Sequence, residues 1–107
     1  MRLTKQSIPE TMTMYRASRC CRVLGNPTAY LIVRCLGEER KTLNDLSEEL
    51  KVPLSTISMT LRHLRQMDMV RYETQGESKE YWVKDWMLLS MLNTIEKWVK
   101  SVREKRM

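Results

Sequence analysis

Residues 43–67, LNDLSEELKVPLSTISMTLRHLRQM, constrain the fold of this chain more than any other stretch. Leu43, Leu46 and Leu50 recur at three- and four-residue steps and so share one face of a helix; Ile57, Leu61 and Leu64 do the same for a second. Between the two rows lies Lys51-Val52-Pro53. Pro53 has no N–H to donate, and its ring pushes Val52 toward extended geometry, so one helix must stop there. Two short helices with so brief a joint cross steeply, as in a helix-turn-helix. An ordinary helical hairpin satisfies the same spacing.

A helix-turn-helix presents the outer face of its second helix to the DNA major groove. Here that face carries Leu54, Ser55, Ser58, Met59 and Arg62. Ser55, Ser58 and Met59 are the candidates for base edges, and Thr56 and Arg62 for nearby phosphates. The charge distribution fits phosphate contacts made mostly from around that helix. Of the net +6, residues 1–41 carry +5, residues 42–69 carry −1, residues 70–84 balance, and residues 85–107 carry +2. A near-neutral element over 42–69 also suits a winged helix that docks on protein, which is the alternative reading.

The rest of the chain supplies a frame. Residues 1–10 have little periodicity and read as a loose arm. From Thr11, the spacing of Met14, Ala17, Cys21 and Leu24 predicts a helix, with Arg16, Arg19 and Arg22 largely off its apolar stripe. Gly25-Asn26-Pro27 ends it and starts a second, with Asn26 as cap and Pro27 in the first turn. That second helix, to Leu36, is expected to bury Leu31, Ile32, Cys35 and Leu36, and a charged connection, Glu38 to Lys41, follows it. After Met67 the period changes: Val70, Tyr72 and Thr74, then Tyr81 and Val83, alternate with polar or large neighbours as strands do. With Gln75-Gly76-Glu77-Ser78-Lys79 between them they form a hairpin over 70–84, a wing whose Gln75 and Lys79 would reach DNA.

The last segment, 85–104, is a helix. Leu88, Leu92, Ile95, Val99 and Val102 recur at alternating four- and three-residue steps, and Trp86, Met91 and Trp98 widen the seam. So wide a stripe on a terminal helix points to a second copy of the chain, with Leu88, Met91, Leu92, Ile95, Trp98 and Val99 at the dimer interface; docking of the whole stripe onto its own domain is the alternative. The expected fold is therefore one mainly α domain over 1–107, a dimeric winged helix-turn-helix with a small β-hairpin. No apolar run approaches the roughly 20 residues that span a bilayer, and MRLTKQSIPE lacks a leader's apolar centre, so a cytoplasmic protein without a membrane partner is expected. No Gly-rich phosphate loop or Ser or Cys set with a His and carboxylate is present, so no enzyme is expected. Cys20, Cys21 and Cys35 do not resemble a disulfide framework. They are core fillers or a candidate thiol switch, with a soft metal as the only cofactor considered.

This order of elements resembles the ArsR family of prokaryotic dimeric winged-helix repressors over about residues 20–100. Val23-Leu24-Gly25-Asn26-Pro27-Thr28 is similar to the family's L-x-(D/N)-P-T-R entry to its second helix. Asp45-Leu46-Ser47-Glu48-Glu49-Leu50 is similar to D-L-A-x-x-L. Thr56-Ile57-Ser58 with Leu61 and Leu64 is similar to the T-V-S-x-H-L-x-x-L recognition helix, and Met69-Val70 to the G-L-V entry to the wing. The resemblance implies a sequence-specific double-stranded DNA-binding repressor that reads an inverted repeat as a homodimer. The chain departs from the pattern at Ala29, Lys51, Pro53 and Thr60, where the family has Arg, Gly, Ser and His. The family's two metal-sensing places carry Thr42-Leu43-Asn44-Asp45 and a terminal helix without histidine, so the resemblance implies no metal at either.

Overall fold

The computed structural model describes residues 8–106. Residues 1–7 of the expected loose arm lie outside the described residues, and helix α1 (Ile8–Leu24) takes in the rest. Pro9 falls in the first turn of α1, where a missing N–H breaks no helical bond. Gly25 follows, and Asn26 caps α2 (Pro27–Leu36) by accepting from the Ala29 N–H at 3.1 Å.

Helix α3 (Leu43–Leu50) starts with a reciprocal cap: Thr42 Oγ1 accepts from the Asp45 N–H, and the Asp45 carboxylate accepts from the Thr42 N–H. That backbone bond, with the Thr42 hydroxyl, holds the Asp45 carboxyl below its ordinary pKa. Lys51 ends α3 in the left-handed conformation, φ 57°, at a strain of about 1 kcal/mol for a residue with a Cβ. Ser47 secures the turn: its hydroxyl donates to the Val52 carbonyl at 2.5 Å, and its own carbonyl accepts from Val52 N at 3.2 Å. Pro53 then launches α4 (Leu54–Gln66), its carbonyl accepting from Thr56 and Ile57 at 3.0 Å.

The sheet has three strands rather than the two of the expected hairpin. Strand β1 (Lys41–Thr42), expected as charged connection, pairs antiparallel with β3 (Ser78–Val83), which pairs in turn with β2 (Val70–Gln75). Lys41 is buried, its ammonium held by Glu49 at 2.9 Å and Glu39 at 3.1 Å. These two carboxylates raise its pKa far above the ordinary lysine value. The α4–β2 turn puts Asp68 at φ 61°, where the resembled G-L-V pattern has glycine, and its carboxylate takes Lys84 as partner.

Ile32, Val33, Leu46, Ile57, Leu61, Leu64, Val70 and Leu92 form the fully buried centre. On α2, Leu31 is 48 % exposed and Val33 takes its expected place in the core. Among the described apolar residues of α1, the C-terminal end packs inward: Leu24 is buried, Cys20 and Val23 are half-buried, and Met14, Ala17 and Cys21 are exposed. That corrects the expected stripe, because a lone chain offers most of α1 nothing to bury against.

Helix α5 (Trp86–Arg106) starts where the Asp85 carboxylate accepts from Met87 N at 2.9 Å. It sits on the domain through Leu88, Leu89 and Leu92 and through polar groups: the Tyr30 hydroxyl donates to Glu96 at 2.5 Å, and Arg34 to Asn93 at 2.8 Å. A Cβ at Gly37 would lie 2.5 Å from Leu89 Cδ2, so glycine there lets α5 approach the end of α2. Its other side exposes Met87, Met91, Ile95 and Trp98. Leu92, expected on the partner-facing seam, is instead fully buried in its own domain. Among the described residues no helix is long and apolar enough to cross a membrane.

Candidate nucleic-acid interface

Helix α4 is held from below by Ile57, Leu61 and Leu64, all buried to within 1 %. This anchoring turns Ser55, Ser58, Met59 and Arg62 outward, each exposed, with Met59 at 62 %. Gln66, seven residues after Met59 and so on the same side of the helix, is exposed with them. The sequence reading passes over Gln66, although helical spacing alone puts it there. Thr56 is exposed at the side of this face and, with Asn26, Thr60 and His63, lines a depression of about 250 Å³ against the start of α2. The Thr60 hydroxyl bonds back to the Thr56 carbonyl at 2.7 Å.

The near-neutral charge of residues 42–69 resolves once the helices are separated. Asp45, Glu48 and Glu49 all belong to α3, where with Glu39 they border Arg40 and Lys41. Helix α4 carries Arg62 and Arg65 and no acidic residue. Its outward face therefore carries positive charge and no acid beside the exposed Leu54 and Met59, as a phosphate-lined groove requires.

The wing differs in detail from the expected loop. Gln75 pairs with Ser78, so the turn is only Gly76-Glu77, and Gly76 has φ 63°; two-residue hairpin turns favour glycine at such positions. Gln75 is exposed near the tip, and its amide donates to Glu73 at 3.1 Å. Lys79, expected in the loop, lies within β3 opposite Thr74, its ammonium 4.7 Å from the centre of the Tyr72 ring.

The remaining site candidates separate into two groups. Met91, Ile95, Trp98 and Val99 are exposed, Leu88 is half-buried and Leu92 is buried. Cys20 and Cys35 are half-buried, Cys21 is exposed, and all three are free thiols. Burial pushes the Cys35 thiol up, and Glu49 and Glu38 outweigh the opposite pull of Lys41. Among the described residues no three His, Cys, Asp or Glu side chains gather as a metal site.

Comparison with known proteins agrees with this architecture. Residues 26–72 match the family model described as "Bacterial regulatory protein, arsR family". Among solved structures, the chain is similar to the homodimeric winged helix-turn-helix DNA-binding domain of Mb0332 from Mycobacterium bovis, described as a possible ArsR-family transcriptional regulator. The two share 16 % identity over 95 % of this chain and 94 % of that one, with a TM-score of 0.84. It is also similar to Rv0081 of M. tuberculosis, at 20 % identity over 84 % and 91 % of the two chains and a TM-score of 0.79. The transcriptional repressor BigR of Xylella fastidiosa gives 19 % identity over 86 % and 92 %, with a TM-score of 0.70. No curated protein matches the sequence closely enough to count as a relative. The segment from the Asn26 cap to Tyr72 thus carries the sequence pattern of the arsR family, and the chain has the winged helix-turn-helix fold of ArsR-family transcription regulators.

Proposed function

We propose that this chain is a cytoplasmic transcription regulator, a repressor, that binds an inverted repeat in double-stranded DNA as a homodimer. The observation that carries the reading is the outward face of α4, where Ser55, Ser58, Met59 and Arg62 stand exposed on a helix without acidic residues. Ser55, Ser58 and Met59 address base edges, Thr56 and Arg62 address phosphates, and Gln75 and Lys79 act from the wing. Support for assembly and outcome comes from the neighbours: the M. bovis domain is described as homodimeric, and the X. fastidiosa protein as a repressor. A two-fold dimer reads half-sites about one helical turn apart.

The test is retention on DNA-cellulose with salt elution, followed by titration of a selected operator. Arg62→Ala weakens binding to all sequences and lowers the slope of log K against log salt by about 0.9 for one lost phosphate contact. An unchanged slope with collapsed sequence preference assigns Arg62 to a base edge instead. A chain that passes through DNA-cellulose at low salt is a winged helix that docks on protein.

A thiol response belongs to this proposal through α1, where Cys21 is exposed. Oxidant or a soft metal ion lowers operator affinity in the parent and leaves a chain with Cys20, Cys21 and Cys35 each changed to Ser unaffected. A response that persists without these thiols removes them from the mechanism.

A further inference from the structure

The outward face of α4 does not account for the guanidinium groups gathered at the C-terminal end of that helix. Between the C-terminal half of α4 and strand β2 lies an open cleft of about 520 Å³, lined by Arg62, Arg65, Gln66, Asp68, Arg71 and Tyr72 among others. Its one carboxylate, Asp68, is already bound to Lys84, and Arg71 Nε approaches it only to 3.9 Å. Three guanidinium groups therefore share a cleft with one acid, which is bound to Lys84 and paired with Arg71.

Two cations at this place are also held in position. The Arg65 guanidinium lies 4.5 Å from the centre of the Tyr72 ring, and the Lys79 ammonium 4.7 Å from the same ring. Tyr72 in turn rests on Tyr81 across the sheet, with ring centres 5.5 Å apart. A cation over an aromatic face is attracted without being neutralised, so the ring reduces the freedom of both side chains and leaves their charge available. Like charges gathered this way repel one another until an anion arrives. A planar guanidinium can give a phosphate two parallel hydrogen bonds.

We propose that this cleft is a backbone-phosphate site: Arg65 and Arg71 each take a phosphate oxygen of the duplex entered by α4, with Tyr72 as the platform that aims Arg65. The site rests on the DNA-binding reading and adds Arg65, Arg71 and Tyr72 to the residues assigned above. It also gives the wing a mechanical role. Arg65 comes from the reading helix and Arg71 from the wing, so a phosphate strand bound between them clamps the two elements together, and Lys79 helps from the side of the sheet.

The experiment follows binding of the full chain to a mixed-sequence duplex over a range of potassium chloride concentrations. Arg65→Gln and Arg71→Gln each lower the slope of log K against log salt by about 0.9, and the pair by about twice that. Arg65→Lys, which keeps the charge, retains most of the slope. Arg103→Gln, on the exposed side of α5, leaves it unchanged, and circular dichroism checks that each variant is folded. If the parent binds with a steep slope that Arg65→Gln and Arg71→Gln do not alter, the cleft is not a phosphate site and the reading of α4 stands. If the parent shows no salt-dependent duplex binding, both fall. A parallel titration with inorganic phosphate, read by the arginine Nε–H resonances, separates the two phosphate sources. Saturation of Arg65 and Arg71 by free phosphate, with no effect of their substitution on duplex binding, overturns the assignment to DNA.

Discussion

Replacing Ile95 and Trp98 together by glutamate is expected to give a folded monomer whose affinity for an inverted-repeat operator is lower by about 10²–10⁴-fold. The expectation starts from the way α5 is seated. Glu96 and Asn93 bond to Tyr30 and Arg34 of α2, whereas Ile95 and Trp98 are 47 % and 66 % exposed. A helix that packs polar groups on its own domain and shows apolar ones to solvent lacks the cover that the hydrophobic effect requires. A two-fold interface uses each side chain twice, and burying a large apolar side chain is worth about 1.5–3 kcal/mol. Four glutamates in place of these groups would have to lose water without counter-ions. Exposed α1 residues Met12, Met14 and Tyr15 extend the apolar surface that a second copy would cover. Joined heads bind the second half-site at the effective concentration set by the first, and separated heads lose that gain. Sedimentation velocity and operator titration read the two effects together. Unchanged sedimentation of the double variant would place the dimer contact elsewhere.

The parts of this fold that could be read from sequence are those in which one residue type has one physical role. Pro53 separates two helices, Asn26-Pro27 starts one, and Ile57, Leu61 and Leu64 define a core face that leaves Ser55, Met59 and Arg62 outside. Strand β1 is only Lys41–Thr42, too short to show a period, and its first residue is a lysine whose burial depends on two glutamates brought from outside the strand. The α1 stripe was misplaced because apolar spacing does not say whether the covering surface belongs to the same chain. The phosphate cleft is a further case. Arg65, Arg71, Tyr72 and Lys79 lie on three elements, and only the hairpin register and the seat of α4 bring Arg65 and Lys79 to the Tyr72 ring and Arg71 to the same cleft.

Leu92 separates folding from assembly, and Leu92→Ala is expected to cost about 2–5 kcal/mol of unfolding free energy. Leu92 lies in the same apolar seam as Ile95, three residues away, and sequence spacing treats the two alike. In the fold Leu92 has no exposed surface and belongs to the same buried cluster as Ile32, Leu36 and Leu61. Truncating it leaves a cavity between α5 and the body of the domain, and neighbouring side chains relax only partly into such a space. Against a total stability of about 5–15 kcal/mol, the loss is large. Ile95→Ala removes a side chain that is already 47 % exposed, so it costs the protomer less packing than Leu92→Ala and acts mainly on association. Urea unfolding at several protein concentrations distinguishes these effects, because dimer contacts make the midpoint depend on concentration and protomer packing does not. Leu92→Ala should lower the midpoint by about the same amount at every concentration, and Ile95→Ala should reduce its concentration dependence. A Leu92→Ala chain that is as stable as the parent at high dilution but fails to dimerise would move Leu92 from the core to the interface.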